Sequence, residues 1–366
     1  MKFVCEKDLL AKALGATARA ATGRATNPVL SCLRLVLAKN RLRITGTDGD
    51  LTIESTIEVA DGEDGVVLVP AKLVSEVVGS MKSGRVQFVV EGDKISVDAK
   101  DVEFSLPTGA EGDFPKWSGS DGGGASVDTV VLTEALKQVV RAASTDDARG
   151  VITGVLFSGD AGKLRLVATD SYRLAIREIE AAILPDGAQA IVPARALAEV
   201  IRLQSFGETM NVAVTDNDAT FQVGSTRLVT RLLKGTYHDY KRLVPKSQPN
   251  SVTLNRDEAL EAIRRVKLIA RDPVGSPLRL RIFKDDITMR VVSQDNGEAV
   301  EKIDGEISGE EIEMAFNNEF LASGIDACDT EYVVIETSEP GKLAVIRPKD
   351  PKDGGSYLYL LMPQRL

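Results

Sequence analysis

The chain repeats itself about three times along its 366 residues. Thr47-Asp48 in ITGTDGDL returns as Thr169-Asp170 in LVATDSYRL. Pro70-Ala71 in VLVPAKLVSEVV returns as Pro193-Ala194 in AIVPARALAEVI, and MAFNNEFLASGI repeats the strand-then-helix pattern with Asn317 in the proline's place. A period of roughly 122 residues is far too long for a solenoid unit, so each copy is expected to be a small domain. The boundaries then fall at 1–120, 127–246 and 247–366. Two short linkers mark them, the Gly/Ser-rich GSDGGGAS (119–126) and the two-proline VPKSQPNS (244–251).

Each copy has the same internal order. Amphipathic helices are expected at about 6–21, 132–144 and 255–271, the last opening on an Asn-x-x-Glu capping box at Asn255. Alternating strands follow in LRLVLAKNRLRITGTD, GVLFSGDAGKLRLVATD and LRLRIFKDDITMRVVSQD, with Lys-Asn, Asp-Ala-Gly and Lys-Asp-Asp as hairpin turns. A second helix (71–81, 194–204, 318–327) and further strands complete each unit. The fold class is α+β, in three tandem helix-strand-helix-strand copies.

No run of about 18 apolar residues is present, which leaves no membrane span. MKFVCEKDLLAKAL has acidic residues in its first eight and no small-residue cleavage site, so it does not read as a secretory signal. Cys5, Cys32 and Cys328 form no CxxC pair; three buried thiols in a cytoplasmic protein are expected. GxSxG, HExxH, GxxxxGK[ST] and the Rossmann glycines are absent, and the single histidine, His238, has no nucleophile pattern around it. TDGD, TDND and STDD lack the glycine and distal glutamate of a calcium loop and read as turns. No catalytic residue, metal or cofactor is expected.

A net charge of −9 argues against a generic nucleic-acid binder, but the distribution of charge matters more than its sum. Lys12 and Arg19 are spaced i,i+7, Lys137 and Arg141 i,i+4, and Arg195 and Arg202 i,i+7; Arg264, Lys267 and Arg271 share one helix face. Acidic clusters lie instead at VADGEDG (59–65), STDDA (144–148) and DGEISGEEIEM (304–314). Solvated helices often carry such cations. Repeated over a threefold array, they also describe a surface for a phosphate backbone read without regard to sequence. Aromatic residues make up 5% of the chain and do not interleave with these cations, which favours duplex DNA over stacked single strands. The residue patterns also leave open a monomeric peptide-binding scaffold and an enzyme with an unrecognised site between domains.

Specific blocks narrow this. The opening MKFVCEKDLL, GRATNPVL (23–30), GTD (46–48), VATDSYRLA (167–175) and the terminus YLLMPQRL (359–366) occur in the order found in the bacterial DNA polymerase III β-subunit family, the sliding clamps, which the chain resembles over its whole length. The resemblance implies a DNA clamp fold and a head-to-tail homodimeric ring of six domains. Such a ring encircles duplex DNA without sequence preference and acts as a non-catalytic processivity factor in the cytoplasm, associated with the nucleoid. It also implies partners that dock through short linear motifs: the polymerase alpha subunit, the clamp-loader delta subunit, other polymerases and mismatch-repair proteins.

By the same resemblance, a peptide cleft between the second and third domains is formed by Ile152, Thr169, Ser171, Tyr172, Arg173 and Leu174, with His238, Arg242 and Leu243 from the linker approach. Val274, Asn317 and Phe320 come from the last domain. Leu360, Met362, Pro363, Gln364, Arg365 and Leu366 come from the tail. The dimer contact falls on Phe104 and Leu106, facing Leu268 and Ile269 of the other subunit. Arg24 matches a DNA-contacting position and Arg149 lies near another; the helix lysines and arginines above are assigned to the same surface from their spacing. Two departures bear on peptide preference. Ser171-Tyr172 stands where many relatives have Gly-His, and Tyr237-His238-Asp239-Tyr240 where many have Phe-Pro-Asp-Tyr.

Overall fold

The computed structural model describes residues 1–22, 27–109, 112, 114–115, 123–270, 276–284, 286–351 and 357–365. Among these residues, six α-helices carry the two-per-copy pattern: α1 (Lys7–Ala18), α2 (Ala71–Ser80), α3 (Thr129–Val140), α4 (Ala194–Arg202), α5 (Arg256–Val266) and α6 (Asn318–Asp326). α1 buries Leu10, Ala13, Leu14 and Thr17, the i, i+3, i+4, i+7 stripe that turns one helical face to a core. Asn255 and Asn317 cap α5 and α6, each accepting two backbone N–H bonds through its side-chain oxygen. Helices α2 and α4 instead follow the prolines of the repeated Pro-Ala pair.

Contacts divide the chain into two compact units and not at its thirds: Met1–Val130 with Arg195–Leu232, and Val131–Ala194 with Leu233–Leu366. The reason is strand pairing. In the first unit an eight-stranded sheet runs Ala125–Asp128, Thr209–Val214, Asp218–Val223, Thr226–Arg231, Leu51–Glu58, Arg41–Thr47, Cys32–Ala38, Gly65–Pro70. Thr226–Arg231 of the middle third is hydrogen-bonded to Leu51–Glu58 of the first, and Ser55 and Thr226 share a buried hydroxyl contact of 2.9 Å. In the second unit a nine-stranded sheet runs Gln189–Pro193, Gly154–Asp160, Lys163–Thr169, Arg173–Ile179, Leu358–Leu361, Ala344–Pro348, Tyr332–Thr337, Asn250–Asn255, Gly305–Ser308. Here Arg173–Ile179 of the middle third pairs antiparallel with Leu358–Leu361 of the last. Each long sheet is thus shared by two successive thirds.

Each unit also has one shorter sheet. The first unit's runs Ala60–Glu63, Lys2–Glu6, Arg85–Glu91, Lys94–Ala99, Val102–Pro107; the second's runs Gly297–Ile303, Asp286–Ser293, Leu278–Phe283, Ile312–Phe316. The expected hairpins form where Lys39-Asn40 and Ala161-Gly162 take positive φ. Cys5 and Cys328 are buried, and burial pushes each thiol up to about 12, which keeps it protonated and inert. Cys32 corrects the expectation of three buried thiols: it opens a strand beside the turn Pro28–Ser31 and is only half-buried. Among the described residues, no helix is long and apolar enough to cross a membrane.

Candidate functional site: an apolar patch in the second unit

A patch of apolar side chains in the second unit joins the middle third, the linker approach and the last third. Leu156, Val167, Leu174, Ile176, Tyr237, Tyr240, Val345 and Leu360 are buried in one cluster, edged by half-buried Val151, Val244 and Leu358. Large apolar groups stand exposed around it: Tyr172 (63%), Leu243 (52%) and Met362 (47%). Exposed aromatic and thioether groups over an apolar floor suit the anchors of an extended peptide.

The turn between strands Lys163–Thr169 and Arg173–Ile179 fixes one wall. Thr169 Oγ1 donates to Arg173 O (2.7 Å) and accepts from Ser171 N (3.1 Å). The Asp170 carboxylate accepts from Tyr172 N (2.9 Å), Arg173 N (3.0 Å) and Arg173 Nε (2.9 Å). Arg173 is then held over the Phe320 ring, 4.1 Å from its centroid. Its charge is spent on Asp170 and that aromatic face, so it acts as a strut. The tail crosses the wall: Met362 N donates to Tyr172 O (2.8 Å) and Gln364 N to Ala315 O (2.7 Å). Tyr359, its hydroxyl on Phe320 O at 2.9 Å, anchors the strand before it, and burial lifts that phenol to about 12.

The other expected cleft residues divide by role. Ile152, Leu174 and Leu360 are buried and form part of the interior. Asn317 faces its own helix, its oxygen occupied by Glu319 N and Phe320 N. His238 is exposed, Arg242 is paired with Asp239 at 2.7 Å, Pro363 is half-buried and Arg365 is exposed. Val274 and Leu366 lie outside the described residues, as does Arg24.

Arg149 was expected among the DNA-facing cations. Its guanidinium lies on the turn at Asp170-Ser171, where Nη1 donates to Asp170 O (2.6 Å) and Nη2 to Ser171 Oγ (2.8 Å). It stands 21 residues from Asp170 in sequence, and spacing along a helix carries no signal for such a contact.

The remaining cations have partners as well. In the first unit Lys12 donates to Ser205 O and stands 4.3 Å from the Phe206 ring centroid, Glu199 takes both Arg19 and Arg202, and Arg195 meets Asp48. In the second, Lys137 pairs with Glu134 (2.6 Å), Arg141 with Asp326, Arg264 with Glu261 (3.0 Å) and Lys267 with Glu319 (3.9 Å). Lys137, Arg264 and Lys267 keep exposed, solvent-screened pairs that a phosphate could displace. Arg19 and Arg195 instead tie distant segments together.

Asp48 shows what such a tie does. Its side chain is 3% exposed beside the more open Arg195. Burial drives its carboxyl up, but the N–H of Leu51, the Arg195 guanidinium and the N–H of Asp50 outweigh it and hold the group below the usual carboxylate range. The ionised form is therefore favoured by folding. That contribution is complete above the unfolded value near pH 4 and is lost as pH falls through the depressed folded value. Arg195→Ala is expected to cost about 2 kcal/mol at pH 7. Urea unfolding should show the gap to wild type closing as pH falls through the depressed folded value and Asp48 protonates; a gap independent of pH would refute the pair's role.

Residues 1–118 match the family described as the DNA polymerase III beta subunit, N-terminal domain; residues 126–239 match its central domain and 241–365 its C-terminal domain. The chain belongs to the DNA polymerase III beta subunit family. It is 30% identical over 376 residues to the beta sliding clamp of Streptomyces coelicolor, covering all of both chains. Among solved structures it is similar to the Caulobacter crescentus sliding clamp (30% identity, TM-score 0.86). It is also similar to a Pseudomonas aeruginosa clamp bound to griselimycin (27%, TM-score 0.90), with complete coverage of each pair of chains. Three tandem clamp domains are the fold, and membership makes the protein a non-catalytic processivity factor of DNA polymerase III.

The family's subunit contact was expected on Phe104 and Leu106. They lie on Val102–Pro107, an outer strand of the five-stranded sheet. Leu106 does not project from that edge: it is buried in its own unit's core, and Phe104 is half-buried against the same cluster. Val102 lies on the same strand face as Leu106 but at the strand's first position, where it is exposed. On the other candidate side, Leu268 is 78% exposed and Ile269 half-buried, its carbonyl accepting from Asn296 Nδ2 (3.3 Å) next to the outer strand Gly297–Ile303. Val300 is exposed on that strand.

Proposed function

We propose that two copies of this chain join head to tail into a six-domain ring around duplex DNA, and that the second unit's cleft tethers polymerases, the clamp loader and repair proteins by short peptides. The domains are those of the threefold repeat: 1–120, 127–246 and 247–366. The observation that carries the reading is a mismatch in sheet size. Where successive thirds meet, sheets reach eight and nine strands, but five strands are left by themselves in one unit and four in the other. Their outer strands Val102–Pro107 and Gly297–Ile303 are six and seven residues long, with exposed valines on each. Joining the two edges across a second copy gives a sheet of the same kind as the internal ones and removes an aggregation hazard. A contact between two different surfaces yields a ring when the rotation closes. Ring topology also accounts for an acidic protein serving DNA: phosphate contacts stay weak and mobile while enclosure does the holding.

The species in solution should have twice the 39.3 kDa chain mass. Assembled by a clamp loader and ATP on nicked circular duplex, it should stay with the DNA through gel filtration and be lost on linearisation, with at least about a tenfold drop in retention time. Equal loss from circular and linear DNA would rule out a sliding ring.

A further inference from the structure

The two Thr-Asp turns of the repeat differ at the residue that follows the aspartate, among others. In the first copy the residue after Asp48 is Gly49, at φ 98°, and its open backbone needs nothing from a side chain. In the middle copy it is Ser171, at φ 77°, a left-handed conformation that glycine takes freely and a serine only at a cost. The hydrogen-bond pattern of the turn is the same in both. Thr47 Oγ1 donates to Leu51 O and accepts from Gly49 N, as Thr169 Oγ1 does with Arg173 O and Ser171 N. Each aspartate accepts the two following turn N–H groups. The strained side chain occurs in the copy that bears the cleft, and its hydroxyl accepts from Arg149 Nη2 at 2.8 Å. Asp170 O takes the other guanidinium nitrogen at 2.6 Å. Strain at a ligand-binding turn is kept where it fixes a group needed by the ligand.

We propose that Ser171 is a positioning residue of the cleft: its hydroxyl pins the Arg149 guanidinium to the turn, so that a fixed cation stands at the wall to meet an oxygen acceptor on the bound peptide. The inference rests on the peptide-cleft reading and adds to it a requirement on the ligand, an acceptor oxygen beside its apolar anchors. Without the hydroxyl, Arg149 keeps only one carbonyl and its long side chain regains rotamer freedom that binding must again remove.

Calorimetric titration of full-length protein with griselimycin tests this, using wild type, Ser171→Ala, Ser171→Gly, Arg149→Ala and the double variant Ser171→Ala with Arg149→Ala. Either Ser171 change should raise Kd about five- to tenfold, and Arg149→Ala at least as much. In the Arg149→Ala background, loss of the hydroxyl should change Kd less than about twofold, since coupled residues are not additive. Ser171→Gly should weaken binding while its Tm stays at or above wild type, a combination that a merely structural role does not produce. Wild-type affinity in both Ser171 variants, or a full further loss on top of Arg149→Ala, overturns the inference. Failure of wild type to bind griselimycin overturns the cleft reading itself, and the inference with it.

Discussion

Removal of Met362 to Leu366 is expected to abolish griselimycin binding, with Kd rising at least about a hundredfold, while the proposed dimer and its retention on circular DNA stay intact. The deletion starts one residue beyond the strand Leu358–Leu361, which is held on both sides by Arg173–Ile179 and Ala344–Pro348. Tyr359 and Leu361 remain buried in place. What disappears is the exposed Met362, together with the bonds from Met362 N to Tyr172 O and from Gln364 N to Ala315 O. The wall then loses an apolar rim group and the turn at Tyr172 its tether, so both contact area and preorganisation fall. Two lost surface hydrogen bonds cost about 1–3 kcal/mol of stability, well short of unfolding. Sedimentation establishes the dimer and titration the loss. Unchanged affinity in the truncated protein would remove the tail from the site.

The largest stability effect is expected from Gly46→Ala. Gly46 lies in strand Arg41–Thr47 under α1, and a Cβ there would sit 2.1 Å from Thr17 O and 2.9 Å from Leu33 Cδ2. Thr17 is itself fixed, its hydroxyl donating to Ala13 O at 2.9 Å, so the strand or the whole helix has to move. The cost should be about 3 kcal/mol or more, a fall in Tm of roughly 6–12 °C. Gly15→Ala, on α1 with nothing within 4 Å of its new Cβ, is the control. It should stabilise by about 0.5–1 kcal/mol through helix propensity. Thermal melts that move in the same direction for both would contradict the close approach of strand and helix.

Much of this was legible in the sequence because it is local. Helix stripes, the asparagine cap at Asn255 and the hairpin tips at Lys39-Asn40 and Ala161-Gly162 are set by residues within a few positions of each other. The order of the copies and the approximate extent of all six helices follow from them. What escaped depends on long-range pairing. Arg19 and Glu199 are 180 residues apart, Arg195 and Asp48 147, and Arg141 and Asp326 185. A cation on a helix face reads the same whether it awaits a phosphate or already holds a carboxylate. The burial of Leu106 was equally illegible, because an outer strand has two faces and only the fold decides which is the core side. Pairing of Thr226–Arg231 with Leu51–Glu58, and of Arg173–Ile179 with Leu358–Leu361, left no trace in the linkers, which look like ordinary domain boundaries.

That sharing of sheets between neighbouring thirds has a consequence for copy number. A tandem array in which each copy completes the previous one's sheet always ends with one unfilled edge at its start and one at its finish, whether it holds two, three or six copies. Edge chemistry therefore cannot count. In the proposed ring, the number of copies per gene and of chains per assembly is set by the turn that each junction imposes, which must sum to a full circle. Duplication or loss of a copy would leave every hydrogen bond satisfiable and still spoil closure. Selection on such a gene thus acts on the angle at each junction more than on the residues that form it.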